Sequence, residues 1–206
     1  MKTLLIHALR SEAGIVKQHF PPPAKIPRQP ELDQVELNHD HDLLRTGIGL
    51  KNTRTILNKL TDVSIYNRVI HWGVSGSLDD GLAVQSLVQC HRFLARDKEP
   101  IVLELFSDPA LPEVKITPFF SSAEAVTDES SRNLIMGSGA GAVDMESYAV
   151  AEFCLIHQLP LLALRCISDR AGISAAKDFR RNYLQASHKL QNYLLNNLLK
   201  RPKIKA

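Results

Sequence analysis

Short apolar runs alternate along this chain with stretches of helical spacing, and few architectures satisfy that pattern. Residues 3–8 (TLLIHA) and 159–167 (LPLLALRCI) are apolar runs suited to buried strands. Further strands are predicted over 42–46, 66–72, 83–90 and 100–105. Helices are predicted over 11–20, 50–60, 147–157 and 175–200, the last with Tyr183, Leu190, Leu194 and Leu198 along one side. Residues 21–30, rich in proline and basic residues, read as a loop. Alternation of this kind predicts an α/β fold: a single domain over residues 1–206, with a central mixed, largely parallel sheet flanked by helices. Such sheets bind ligands at the carboxyl ends of their strands. Segments 8–12, 46–49, 73–77, 144–147 and 168–171 all fall at such ends, so they are expected to converge on one cleft.

Composition removes several classes of function. Hydrophobic residues make up 44% of the chain and charged residues 23%, the balance of a folded soluble protein. The net charge is +3, and residues 200–206 form a basic tail with four positive charges, so the remainder is close to neutral. That leaves no basic footprint, and a nucleic-acid partner is not expected. Cys90, Cys154 and Cys166 are far apart and form no CxxC pair, which argues against a zinc site or a disulfide framework and fits a reducing cytoplasm. On a strand His39 and His41 would share a face, but a solvated loop fits His39-Asp40-His41-Asp42 better, and no metal is expected. No apolar run reaches the ~18 residues of a membrane span, and the first residues lack the apolar core of a signal peptide.

Several motifs fall in the predicted cleft. Thr46-Gly47-Ile48-Gly49 is a glycine loop between strand and helix; Asn52 stands where a dinucleotide fingerprint needs its third glycine. Gly73-Val74-Ser75-Gly76-Ser77 approaches a nucleophile elbow, but Ser77 replaces the required glycine, and a small-residue turn that admits a ligand fits better. Asp144-Met145-Glu146-Ser147 places two acids at a helix start, and Ser168-Asp169 follows a strand. Taken singly, each also serves as a cap or turn.

Together they are more specific. Ala142-Val143-Asp144-Met145-Glu146-Ser147, then Leu159-Pro160, then Arg165-Cys166-Ile167-Ser168-Asp169 resemble the nucleoside phosphorylase and methylthioadenosine/S-adenosylhomocysteine nucleosidase family, within the PNP/UDP phosphorylase superfamily. The Thr46 to Gly49 and Gly73 to Leu78 loops match that family in order and spacing, as does the acidic turn holding Glu12. The stretch 122–145 resembles its hopanoid-associated branch.

The resemblance implies cleavage of the N-glycosidic bond of a purine-type nucleoside, adenosine or a 5′-modified adenosine, through an oxocarbenium-like transition state. It implies Asp169 as the acid that protonates the base, Glu12 as the base that activates water, and Glu146 as the carboxylate on the ribose 2′-hydroxyl. Met145, Ser168, Ser75, Gly76, Gly49 and Val126 would bind substrate. No cofactor is implied, and a cytoplasmic homodimer is expected. A phosphorylase using phosphate as co-substrate, acting on a hopanoid-linked nucleoside, is the alternative, with Arg10, Arg45 and His71 as candidate phosphate ligands. A non-catalytic nucleoside-binding protein is a third reading. The sequence departs from the family at 121–126, where an aromatic residue normally stacks on the base and none is present.

Overall fold

The computed structural model describes residues 2–20, 32–105 and 114–199. The predicted loop at 21–30 and the basic tail at 200–206 lie outside the described residues. The strands are β1 (Lys2–His7), β2 (Gln34–Asn38), β3 (His41–Arg45), β4 (Tyr66–Ser77), β5 (Leu87–Cys90), β6 (Arg92–Ala95), β7 (Ile101–Val102), β8 (Lys115–Ile116), β9 (Phe119–Ser121), β10 (Ala142–Asp144) and β11 (Leu161–Arg170). The helices are α1 (Gly14–His19), α2 (Leu50–Leu57), α3 (Glu129–Met136), α4 (Ser147–Ile156) and α5 (Ala175–Asn197). All the described strands join one mixed sheet, ordered β2-β3-β1-β4-β10-β9-β6-β7, with β11 on β4, β5 on β11 and β8 on β5.

Two-residue periodicity sorts the core onto the two faces of the sheet. On β1, Leu4 and Ile6 join the cluster under α2 and α4, whereas Leu5 points to the cluster under α1 and α5. On β11, Leu161, Ala163 and Ile167 face the first cluster and Leu162, Leu164 and Cys166 the second. Strands buried on both faces read as continuous apolar runs. This is why both were visible in the sequence.

Strand β4 organises the site. One of its edges pairs with β11 in parallel from Val69 to Ser77. The other pairs with β1 as far as His71, then with antiparallel β10 at Gly76 and Ser77. Between those two neighbours the edge at residues 72–75 is open. A cleft at a point where a strand changes neighbours is the expected place for a ligand in an α/β sheet.

The structure corrects several predicted boundaries. Residues 73–77 are not a turn: β4 runs straight through them. The first helix is split into a 3-10 turn, Arg10–Ala13, and the short α1. Strands predicted at 83–90 and 100–105 shrink to β5 and β7. Strand β11 extends three residues past Ile167, with a bulge between Ile167 and Asp169. β2, β6, β8, β9 and α3 were not predicted; the four strands are only two to five residues long. In α3 only Ile135 is buried, and the helix starts on Asp128, whose side chain accepts the Ser131 amide.

Candidate active site

Glu12 enters the open edge of β4. Its Oε2 accepts the Ala8 and Leu9 amides at 3.1 and 2.8 Å, and its Oε1 accepts the Val74 amide at 3.3 Å. The carboxylate thus takes the place of a neighbouring strand. His7 helps to fix the Ala8-Leu9 turn, its Nδ1 donating to the Leu9 carbonyl at 2.8 Å. Burial raises the Glu12 pKa, and the three backbone donors and the more distant Arg165 act against that rise.

Asp169 sits just after the β11 bulge. Ser168 Oγ donates to its Oδ2 at 2.6 Å. Its Oδ1 lies over Gly76, where a Cβ would come within 2.9 Å. Burial raises this carboxyl's pKa also, with the Ser168 hydrogen bond opposing.

Glu146 precedes the first turn of α4, and its Oε1 accepts the Gly49 amide at 2.7 Å. Gly49 has φ +95, a backbone conformation that suits glycine and aims that amide at Glu146. Burial, and then the neighbouring Asp144 charge, push the Glu146 pKa up to about 7. Asp144 is itself ion-paired. The fully buried Arg165 guanidinium reaches its Oδ2 at 2.7 Å, Ser121 Oγ donates to its Oδ1 at 2.6 Å, and Ser147 Oγ donates to it as well. A charged residue inside the apolar run 161–167 was the sequence signal for this buried ion pair.

These groups share a cavity of about 410 Å³, whose walls include Glu12, Ser75, Met145, Glu146, Ser168 and Asp169. Gly76 and Val126 line it as well. Gly49 does not; its amide acts through Glu146. Ser75 Oγ is buried and has no hydrogen-bond partner among the described residues, so a polar group of the cavity wall is left for a ligand. Sequence reasoning missed the wall supplied by the first turns of α5, where Ala175, Phe179 and Arg180 face the cavity. Their spacing continues no apolar stripe.

The three candidate phosphate ligands fall outside this cavity. Arg45 is engaged by Asp33, Nε to Oδ2 at 2.5 Å. His71 is fully buried beneath Arg165, whose Nη2 is 3.1 Å from the imidazole nitrogens, and burial together with that cation holds its pKa well below the ordinary range. A neutral imidazole binds phosphate only weakly, and this one is buried away from the cavity. Arg10, in the turn before Glu12, is not part of the lining either. Among the described residues, no group of three or more His, Cys, Asp or Glu side chains is placed to hold a metal ion, and no helix is long and apolar enough to cross a membrane.

Known proteins resemble this chain in sequence and in fold. The family model of the phosphorylase superfamily matches residues 116–199. A 5′-methylthioadenosine/S-adenosylhomocysteine nucleosidase of Thermotoga maritima is 33% identical over 91 residues, 43% of this chain and 41% of that enzyme. The match thus spans less than half of the Thermotoga enzyme's length. The nucleosidase of the same name from Buchnera aphidicola is 24% identical over 191 residues, 79% of this chain and 82% of that one. Among solved structures, the S. pneumoniae nucleosidase of that name with a transition-state inhibitor has a TM-score of 0.82 at 20% identity, covering 94% of this chain and 96% of its own. Residues 116–199 thus resemble the phosphorylase superfamily in sequence, and the chain shares the fold of these nucleosidases.

Proposed function

We propose that this protein hydrolyses the N-glycosidic bond of adenosine or a 5′-modified adenosine, releasing the free base. The observation that carries this reading is the gathering of three buried carboxyl groups, each in a different hydrogen-bonding environment, around one cavity.

Breaking the bond leaves positive charge on the ribose and negative charge on the base. Asp169, its pKa raised by burial, keeps its proton at higher pH than an ordinary aspartate and delivers it to the base. Ser168 occupies Oδ2, so Oδ1 is the oxygen that faces substrate. Glu146 holds the ribose 2′-hydroxyl, with Met145 against the sugar, and its negative charge offsets the developing cation. Glu12 takes the proton of the attacking water; a buried carboxylate is a stronger base than an exposed one. Ser75 Oγ supplies a further hydrogen bond to the bound nucleoside or water. Water is favoured over phosphate because Arg10, Arg45 and His71, the candidate phosphate ligands, stand outside the cavity.

The proposal includes self-association in the cytoplasm. Val102 on β7 and Leu155 and Ile156 at the end of α4 are exposed apolar residues that suit a subunit contact, and three buried free thiols suit a reducing compartment. Sedimentation velocity tests the assembly.

The deciding experiment follows adenine and sugar products from adenosine and 5′-substituted adenosines, with and without phosphate. Phosphate-independent release of adenine and free ribose product is expected. A strict phosphate requirement would make the protein a phosphorylase. Tight binding without release would make it a nucleoside-binding protein. Asp169→Asn is expected to bind substrate and to lose about 10²-fold or more in turnover.

A further inference from the structure

Glu12 is carried by a 3-10 turn of four residues, Arg10–Ala13, between β1 and α1. Such a segment has poor internal hydrogen-bond geometry and little rigidity of its own. Its rigidity comes from outside, through three carbonyls. Trp72 Nε1 donates to the Glu12 carbonyl at 2.8 Å. His7 Nδ1 donates to the Leu9 carbonyl at 2.8 Å. Gln191 Nε2 and Ser187 Oγ donate to the Ser11 carbonyl at 3.1 and 3.3 Å. The donors come from β4, β1 and α5, so the turn is held from three elements.

Two of these donors form a unit. The His7 ring stacks on the Trp72 indole, with centroids 5.6 Å apart and planes 25° from parallel, and both side chains are buried. Burial lowers the His7 pKa to about 4, so the ring is neutral near pH 7. A carbonyl only accepts, so the single ring proton sits on Nδ1. Nε2 is buried with no partner among the described residues, which leaves the Leu9 bond as the one directed contact of this imidazole there. Three consecutive residues of β4 then serve three parts of Glu12. The Trp72 indole holds its carbonyl, Gly73 leaves room for its carboxylate, and the Val74 amide donates to its Oε1.

The turn is partly open to solvent: Arg10 and Ser11 are exposed. Water often serves carbonyls in such places and fixes no direction. Here buried rings take them instead, and a general base must be held within about 0.5 Å of its working position. We infer that Trp72 and His7 are positioning residues for Glu12: the stacked pair fixes both ends of its turn and so aims the carboxylate at the attacking water. This inference rests on the nucleosidase reading above, in which Glu12 is the base.

The test measures steady-state adenine release from adenosine. Trp72→Phe keeps a ring against His7 and removes the donor to Glu12. His7→Phe keeps a ring against Trp72 and removes the donor to Leu9. Each is expected to lower kcat about tenfold, roughly the value of one hydrogen bond. KM should change less than about twofold, because neither ring belongs to the cavity wall. His7→Asn, whose amide puts an N–H near the place of Nδ1, should recover most of the kcat lost in His7→Phe. In a Glu12→Gln background neither Phe substitution should lower the residual kcat further, since both act through that carboxylate. Leu162→Ala truncates the same core cluster away from the turn and should keep kcat while losing stability. If Trp72→Phe does not fold, the His7 variants decide. Wild-type kcat in either Phe variant, a raised KM in place of a lowered kcat, no recovery in His7→Asn, losses that persist beside Glu12→Gln, or an equal loss in Leu162→Ala overturns the inference and leaves the nucleosidase reading intact. No adenine from wild type overturns both together.

Discussion

A Cβ placed on Gly76 would stand 2.9 Å from Oδ1 of Asp169 and 3.3 Å from the side chains of Val143 and Ala171. Strand β4 therefore passes the acid with its bare backbone. Gly73 bears the same relation to Glu12, whose Oε1 is 3.0 Å from the Cβ position. Two carboxyl groups, from different parts of the chain, reach into the cavity where a neighbouring strand has no side chain.

Gly76→Ala is thus predicted to displace the Asp169 carboxyl, because Val143 and Ala171 block any retreat of the added methyl group. The expected cost is about 1–3 kcal/mol of stability, the usual range for overpacking. Turnover should fall further than stability does. Urea denaturation and steady-state adenine release measure the two effects, and a variant with wild-type kcat would show that Asp169 is not held as described.

This relationship also explains what the sequence could and could not reveal. The stretch 73–77 reads as a turn because its residues are small; in the structure, small residues keep a strand open for Glu12 and Asp169. β1 and β11 were legible because both of their faces are buried, and Glu146 and Asp169 because their motifs recur together. The α5 wall was not legible, since Phe179 and Arg180 stand on the cavity side of a helix whose apolar stripe packs elsewhere. The candidate phosphate ligands lie outside the cavity, and the sequence does not show this either. Chain position places His71 near the glycine strand but cannot show that its ring lies under Arg165.

Ser75 separates ligand contact from fold maintenance. Its hydroxyl is buried without a partner among the described residues, so their packing derives no hydrogen bond from it. Ser75→Ala is predicted to leave stability unchanged or to raise it by up to about 1 kcal/mol. Substrate affinity should drop about five- to tenfold, the value of one hydrogen bond. Thermal melts with and without a nucleoside analogue measure both quantities. Unchanged affinity would mean that the hydroxyl does not touch the ligand.

Arg165 is the counter-charge for Asp144 beneath Glu146, and both partners are almost fully buried. Arg165→Met leaves that carboxylate without its cation, at a predicted cost of about 3–5 kcal/mol. It also removes a cation that holds the Glu146 and Glu12 pKa values down. Adding Asp144→Asn to Arg165→Met should recover much of the lost stability, since no buried charge is then left unpaired. A double variant no more stable than Arg165→Met in chemical denaturation would count against this account.

The Glu146 carboxyl makes stability depend on pH. Its folded-state pKa of about 7 lies above the ordinary 4.5, so near neutrality the folded protein holds a proton that the unfolded chain has lost. The contribution is fully present below about pH 4.5 and is lost as pH rises through about 7. Its magnitude is about 3 kcal/mol, and Glu12 and Asp169, raised by the same burial, act with the same sign. Glu146→Gln keeps an oxygen for the Gly49 amide and removes the titration. This variant is predicted to be more stable than wild type at about pH 8, to lose less stability between about pH 5 and 8, and to be almost inactive, since a neutral amide cannot offset the ribose cation. Urea titrations across that range measure the slopes. If wild type and Glu146→Gln lose stability in parallel, the proton taken up on folding belongs to another group.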